Sequence, residues 1–348
     1  MMDTITLESV NVLPKKTWNY LQINDCKIKV EAPAGPASCT PDSSMAHLQT
    51  GAGPEAAQYI FQAASARRSI RIDANTIATE PLCVDVDDSR HIASTDIYVG
   101  SGSKVCIVIS AHAKQQGSYT LANGIRIIAD HDADITLLNI VDTPCGTTYL
   151  ENAGISLGDR CNFQAHMFYL GEGDIVAGCA VTSTGADAKF EATTRYFVPR
   201  RRRLDLNYIA DVYGERSHGD FTASGILLER SKKTLRQTID LHKGCKGSDG
   251  GENETVLLVG DRITNKTIPT ILCHEDEVAG NHGATIGSIS PDQLRYLTAR
   301  GLSKKEITAL FANSIIEEAR RIMPEATKAA AIAGNAASKI QTLFSEQA

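Results

Sequence analysis

The sequence predicts a mainly β chain, with a β-helix (β-solenoid) core set between an N-terminal cap and a C-terminal α-helical domain. Three observations carry this. Between about Ile77 and Ile289 the chain is a series of short β-former runs broken by glycine, asparagine and aspartate, as in CVDVD (83–87), KVCIVIS (104–110), DITLLNIV (134–141) and ETVLLVG (254–260). The runs follow one another with no convincing helix between them, which excludes alternating β-α arrangements. The texture then changes at Ser290-Pro291-Asp292-Gln293, where a side-chain cap, a first-turn proline and a capping-box glutamine stand in order. The expected units are 1–76, 77–289 and 290–348.

Residues 1–40 are mixed, with a short apolar element around Leu7 to Leu13, two short strands between Trp18 and Val30, and a loop at APAGPASCTP. Met45 to Ile70 reads as helical, because Gly53-Pro54-Glu55 is a start signal and Ala57, Tyr59, Ile60, Ala63 and Ala64 recur at helical spacing. Most of the β runs alternate. Ile135, Leu137 and Asn139 point one way, and Thr136, Leu138 and Ile140 the other. A sandwich, a propeller and a solenoid all accommodate that alternation. The absence of a blade signature or fixed period, and the glycines and asparagines at strand ends, favour an irregular β-helix.

In the tail, one helix runs from Pro291 to about Arg300 with Leu294, Leu297 and Thr298 on a face and Gly301 as its stop. A second opens with the capping box Ser303–Glu306 and carries Ile307, Leu310, Phe311, Ile315 and Ala319 at helical spacing. A third, Pro324 to about Glu346, is alanine-rich with Ile332, Ile340, Leu343 and Phe344 as its large anchors. So thin a tail needs the β body or a partner to cover it.

With 22% charged and 42% hydrophobic residues, 27 glycines and a net charge of −6, the 348-residue chain is that of a soluble globular protein and not of a nucleic-acid coat. No apolar run approaches the roughly 18 residues that span a bilayer. The start MMDTITLESV lacks a signal-peptide pattern, so the cytoplasm is the expected location. Nine cysteines, at 26, 39, 83, 106, 145, 161, 179, 245 and 273, include no C-x-x-C pair, which argues for free thiols over a self-contained zinc or ferredoxin site. Cys83, Cys106, Cys161 and Cys179 sit in apolar contexts and read as core thiols; Cys245 and Cys273 have polar neighbours. The chain contains no P-loop, no G-x-S-x-G elbow and no HExxH helix. The run Arg200–Arg203 reads as a solvated strand edge or protein interface in preference to an RNA site.

The richest chemistry lies at the β-to-helix junction. Cys273-His274-Glu275-Asp276-Glu277 and the glycine-flanked His282 offer soft, borderline and hard metal ligands, so His282 and Cys273 are the candidate metal ligands. The spacing matches no closed four-ligand site. Adjacent Cys273 and His274 point to opposite faces if the strand continues through them.

At these residues the chain resembles the SufB/SufD family of iron–sulfur cluster assembly proteins, and within it more SufD. The resemblance is carried by Ile239-Asp240-Leu241-His242-Lys243-Gly244, Leu257–Gly260, Thr267-Ile268-Pro269, Glu275–Val278, His282-Gly283-Ala284-Thr285-Ile286-Gly287, Gln293–Leu297 and Ala299-Arg300-Gly301. It covers the last third well, and the middle in texture only. It implies a right-handed parallel β-helix and helices that dock a SufC-like ABC ATPase, for which Leu294, Leu297, Ile307, Leu310 and Phe311 are the candidate contacts. It also implies pairing with a SufB-like subunit, or with itself, through the end of the β-helix. The role implied is that of a non-enzymatic scaffold, with ATP handled by the partner and no cofactor permanently bound, only a transient iron–sulfur cluster or iron. His282 matches the histidine of the SufD motif at the cluster-building interface. Gly280 stands where many SufD sequences have a cysteine, Gly283 where SufB has a glutamate, and Glu254 near the SufB assembly cysteine. Cys245 and Cys273 are the thiols that could compensate. Two other classes are weighed: a β-helix carbohydrate-active enzyme, which needs paired carboxylates on adjacent coils, and a stand-alone metal- or RNA-binding module.

Overall fold

The computed structural model describes residues 3–33, 45–114 and 117–345. β1 (Thr4–Val10) and β2 (Cys26–Glu31) form a small antiparallel pair, followed by α1 (Pro54–Ala63). One eight-stranded parallel sheet then contains β3 (Ala66–Ile72), β5 (Ile92–Val99), β7 (Thr120–Ala129), β9 (Thr148–Leu157), β11 (Asp174–Ser183), β13 (Arg203–Val212), β15 (Lys232–Leu241) and β17 (Thr264–Cys273). The other contains β4 (Leu82–Val86), β6 (Lys104–His112), β8 (Asp134–Asp142), β10 (Asn162–Tyr169), β12 (Lys189–Val198), β14 (His218–Leu228), β16 (Asp249–Val259) and β18 (Ala279–Gly287). Within the two sheets each inner strand pairs with the second strand before it and the second after it. The chain therefore alternates between the sheets and climbs one level per pair, a parallel β-solenoid of about eight turns. Levels are offset by as few as 25 residues (Leu82↔Ile107) and as many as 32 (Lys232↔Thr264), which is why no fixed period is legible in the sequence.

The two-residue alternation sends one side of every strand into a continuous lumen, filled by residues such as Ile107, Leu137, Phe163, Phe190, Tyr208 and Phe221. The other side is apolar too, because the chain termini cover it. Leu138, Ile140, Phe168, Phe197 and Ile226 lie under Ile315, Ile316 and Ala319 of α3 (Lys304–Ile322) and Ala329, Ile332 and Ala333 of α4 (Lys328–Ser345). On the opposite face, Leu7, Val10, Tyr59 and Ile60 cover Ile92, Ala122, Leu150 and Val176. The segment before α1 rests on bare backbone there, since a Cβ at Gly178 would stand 2.1 Å from the Ala52 nitrogen. A buried network pins this lobe: Asp205 accepts from Arg236 at 2.7 Å and from Asn11 at 2.8 Å, while Arg236 also donates to the Ile23 carbonyl at 2.6 Å.

Several sequence expectations are corrected here. The helix expected to reach Ile70 stops at Ala63, and Ala66–Ile72 is the first strand of the solenoid. Ser69 and Arg71 alternate with the lumen-facing Ile70 and Ile72 in a period-two pattern, which the apolar helical spacing upstream had masked. Trp18–Val30 holds a short 3-10 turn (Asn19–Leu21) and one strand. Cys161 and Cys179 are lumen residues, whereas Cys83 and Cys106 are half-buried on the outer face beneath the C-terminal helices. Cys39, most of the APAGPASCTP loop, Glu346 and the side chains of Ile340, Leu343 and Phe344 lie outside the described residues. Both capping boxes form as expected, at Ser290/Gln293 opening α2 (Pro291–Ala299) and at Ser303/Glu306 opening α3.

Candidate functional site

The solenoid ends on β17 and β18, and among the described residues no further strand is stacked on either. All nine residues of β18 are exposed, while β13, two levels below β17, is buried along nearly its whole length. Register places His282 on the lumen side of this open end. Its column runs Ile107, Leu137, Ala165, Ala192, Phe221, Glu252, His282, apolar at every level until the last two. Cys273 also occupies a lumen-side position, above Val212 and Leu241. His274 faces outward and reaches Asp240, so the two do diverge as the strand periodicity requires. The missing side chain of Gly280 is filled by Ile271, since a Cβ there would meet it at 2.9 Å.

Beneath the rim the lumen turns polar. Glu252 is buried, with one carboxylate oxygen accepting from the Thr270 backbone N–H at 2.9 Å and the other unpartnered. Burial pushes its carboxyl up to about 8, against the backbone hydrogen bonds from Thr270 and Ile239. Two residues along the strand, Glu254 accepts from Lys233 at 2.5 Å, Thr267 at 2.5 Å and the Tyr196 hydroxyl at 2.8 Å. Burial brings Lys233 down to about 8 in spite of the attraction of Glu254. A third buried carboxylate, Glu151, is satisfied deeper in the lumen by Asn139, Tyr149 and Tyr169.

The candidate residues thus fall into two groups. His282 and Cys273 are exposed at the open end. Cys245 is fully buried, and burial, with Glu275 and Cys273 nearby, raises its thiol above the ordinary range, so it offers no thiolate in this conformation. Glu254 is committed to its ion pair, not free to bind a ligand. Among the helical contacts, Leu310 and Phe311 are 53% and 43% exposed and Leu294 and Leu297 are half-buried. Ile307 is not a surface residue. It turns inward with Ala312, Ile315 and Ala319, because the buried face of α3 is set by the Ala312–Ile316 side, which leaves Leu310 and Phe311 outside. Two members of the arginine run have local partners: Arg202 donates to the Cys145 sulfur at 2.7 Å and Arg203 to Asp205 at 3.1 Å; Arg201, like Arg230 and Arg262, has a left-handed backbone.

Glu252 and Lys233 were not singled out from the sequence. The alternation of Glu252, Glu254 and Val256 puts both carboxylates on one face, and that is the signal which could have found the first of them.

The fold is thus a parallel solenoid with one polar, open end and helices folded back along one wall. The chain matches the family described as SUF system FeS cluster assembly, SufBD core domain, over residues 83–315, and belongs to that family. It is 22% identical over 188 residues to the iron-sulfur cluster assembly protein SufD of Bacillus subtilis, covering 53% of this chain and 43% of that protein. It is 22% identical over 225 residues to an iron-sulfur cluster assembly SufBD family protein of Methanocaldococcus jannaschii, covering 55% of this chain and 70% of that protein. A Mycobacterium leprae protein of the same description is 26% identical over 145 residues, 42% of this chain and 17% of the relative. The chain therefore spans less than half the length of the Bacillus and Mycobacterium relatives.

Proposed function

We propose that this chain is a non-catalytic scaffold subunit of a Suf-type iron–sulfur cluster assembly complex. Its open solenoid end pairs with a SufB-like subunit or a second copy, and α2 and α3 dock a SufC-like ABC ATPase. The observation that carries the reading is β18, an edge strand exposed at every residue. An uncovered edge with a 48% exposed Ile286 is a surface suited to another strand. In this reading His282, with Glu252 beneath it, handles iron or a nascent cluster as cargo between subunits, with Cys273 the accessible thiol nearby. The helical surface is formed by Tyr296, Leu310 and Phe311, all more than two-fifths exposed, with Leu294 and Leu297 at its margin. ATP hydrolysis belongs to the partner, in keeping with the missing P-loop.

No helix among the described residues is long and apolar enough to cross a membrane, and the reading assigns the protein to the cytoplasm. A carbohydrate-active enzyme finds little support. Carboxylates on adjacent coils do occur at Asp211 and Asp240, but both are largely buried and interleaved with histidines.

The test is co-expression with the SufB-like and SufC-like proteins of the same organism, followed by size-exclusion chromatography with mass determination. A stoichiometric complex that loses the ATPase on Leu310→Asp, and that assembles but forms no cluster on His282→Ala, supports the reading. A chain that elutes alone, or a Leu310→Asp variant that retains the ATPase, overturns it.

A further inference from the structure

The outer wall of the solenoid carries a second cluster of ligating groups that the scaffold reading does not use. Asp211 of β13 and Asp240 of β15 are register partners on adjacent strands. Two residues beyond Asp240, His242 keeps the ladder geometry, its N–H donating to the Val212 carbonyl at 3.0 Å; one level higher, the His274 N–H donates to the Leu241 carbonyl at 2.8 Å. Nε2 of His242 lies 2.9 Å from Oδ1 of Asp211 and 3.8 Å from Oδ1 of Asp240, and Nε2 of His274 lies 3.3 Å from that same Asp240 oxygen. One ligand atom from each of Asp211, Asp240 and His242 falls within 4.8 Å of the others.

Two features point to a missing cation. Asp211 is only 9% exposed, and its Oδ2 has no hydrogen-bond partner; Asp240 Oδ1 is buried and accepts no hydrogen bond, with only the His274 and His242 imidazoles near it, at 3.3 and 3.8 Å. Two carboxylates side by side in a poorly solvated place are unfavourable without positive charge between them. Burial holds the Asp211 carboxyl above its ordinary value, and the Asp240 charge adds to this against His242 and Gln49. The geometry also suits an ion. A tetrahedral metal with bonds of about 2.0 Å has ligand–ligand edges of about 3.3 Å, and the three histidine–carboxylate spacings bracket that value. Tyr213 stacks on the His242 ring at 4.0 Å and 5°, which fixes the ring plane with Nε2 toward the carboxylates. His274, half exposed, leaves a route in from solvent.

We propose that Asp211, Asp240 and His242, with His274 at the open side, bind one divalent first-row transition-metal ion on the outer wall of the solenoid, on the opposite face of β17 from Cys273. An imidazole–carboxylate set without sulfur takes zinc, iron(II), cobalt(II) or manganese(II) in preference to copper(I), and imidazole disfavours calcium and magnesium. The ion replaces the proton shared between His242 and Asp211 and ties the last two levels of the solenoid together beside the open end. This site stands independently of the scaffold reading.

The test is titration of the chelator-treated full chain with cobalt(II), read by visible absorption and by the shift in melting temperature. The expected result is uptake of one ion per chain, with the weak d–d bands of nitrogen and oxygen ligands, displacement by zinc and a rise in melting temperature of several degrees. Asp240→Asn, nearly isosteric, weakens binding at least tenfold. His274→Gln, at a half-exposed position where folding is not at stake, weakens it severalfold, and His282→Ala binds as the parent does. Absence of stoichiometric uptake, parent-like affinity in both Asp240→Asn and His274→Gln, or an intense thiolate–cobalt band lost on Cys273→Ser would each overturn the site.

Discussion

β13 and β18 are made by the same repeat, in the same parallel register, and yet nearly every residue of one is buried and every residue of the other exposed. The difference does not lie in strand-forming preference. β13 has a level above it, a level below it and the N-terminal lobe on its outer face, through Asp205, Asn207 and the contacts of Asn11 and Arg236. β18 pairs with β16 below it and, among the described residues, with no strand above. Coverage in a solenoid comes from neighbouring levels and from whatever lies on the walls, so the last level is left dependent on a partner. The polar lumen residues Lys233, Glu252 and Glu254 gather where this coverage thins out.

The comparison can be broken most forcefully within a single column. Phe221 and His282 occupy the same lumen column two levels apart. Phe221→Ala should cost about 3–5 kcal/mol, whereas His282→Ala should change stability of the isolated chain by less than about 0.5 kcal/mol. Urea denaturation of the two variants decides whether the column really passes from core to surface. Comparable losses at both sites would mean the end is capped.

Next in size is the buried pair at the boundary. Lys233→Met leaves Glu254 charged and unpaired in the lumen and should cost about 3 kcal/mol. The double variant Lys233→Met/Glu254→Leu should recover at least half of that loss, as a double-mutant cycle would reveal.

Glu252 gives a smaller effect with a sign in pH. Its folded-state value near 8 lies above the ordinary 4.5, so between these limits the folded chain holds a proton that the unfolded chain releases. Stability is therefore lost as pH rises through this window. Glu252→Gln should melt like the parent near pH 4.5 and be more stable, by about 2 kcal/mol, above pH 8. Parallel pH profiles for the two proteins would show that Glu252 ionises normally.

Smallest in stability is the edge itself. Ile286→Lys should alter the melting temperature of the isolated chain by no more than a degree or two, while abolishing pairing through β18. Sedimentation of the variant with a SufB-like partner reads this directly.

Much of this was legible in the chain, and for local reasons. The alternation that separates Leu137 from Leu138 correctly assigned one to the lumen and the other to the opposite face, because a strand has no freedom to violate it. Both capping boxes were readable, since they bond backbone groups three residues away. The stripe on α3 was read too broadly. Ile307, Leu310 and Phe311 share helical spacing, but only packing against Phe168 and Phe197 selects which side of the helix is buried.

The sequence by itself determined the β-rich core, its helical tail and the motif around His282, because strand period, helix capping and short residue motifs are written in neighbouring residues. Only the tertiary structure decided which level would be left uncovered. The same holds for Glu252 beneath His282, 30 residues apart, and for Asp211, Asp240, His242 and His274 in one cluster. Those juxtapositions depend on level offsets that vary from one turn to the next, and an irregular offset cannot be counted along a single chain.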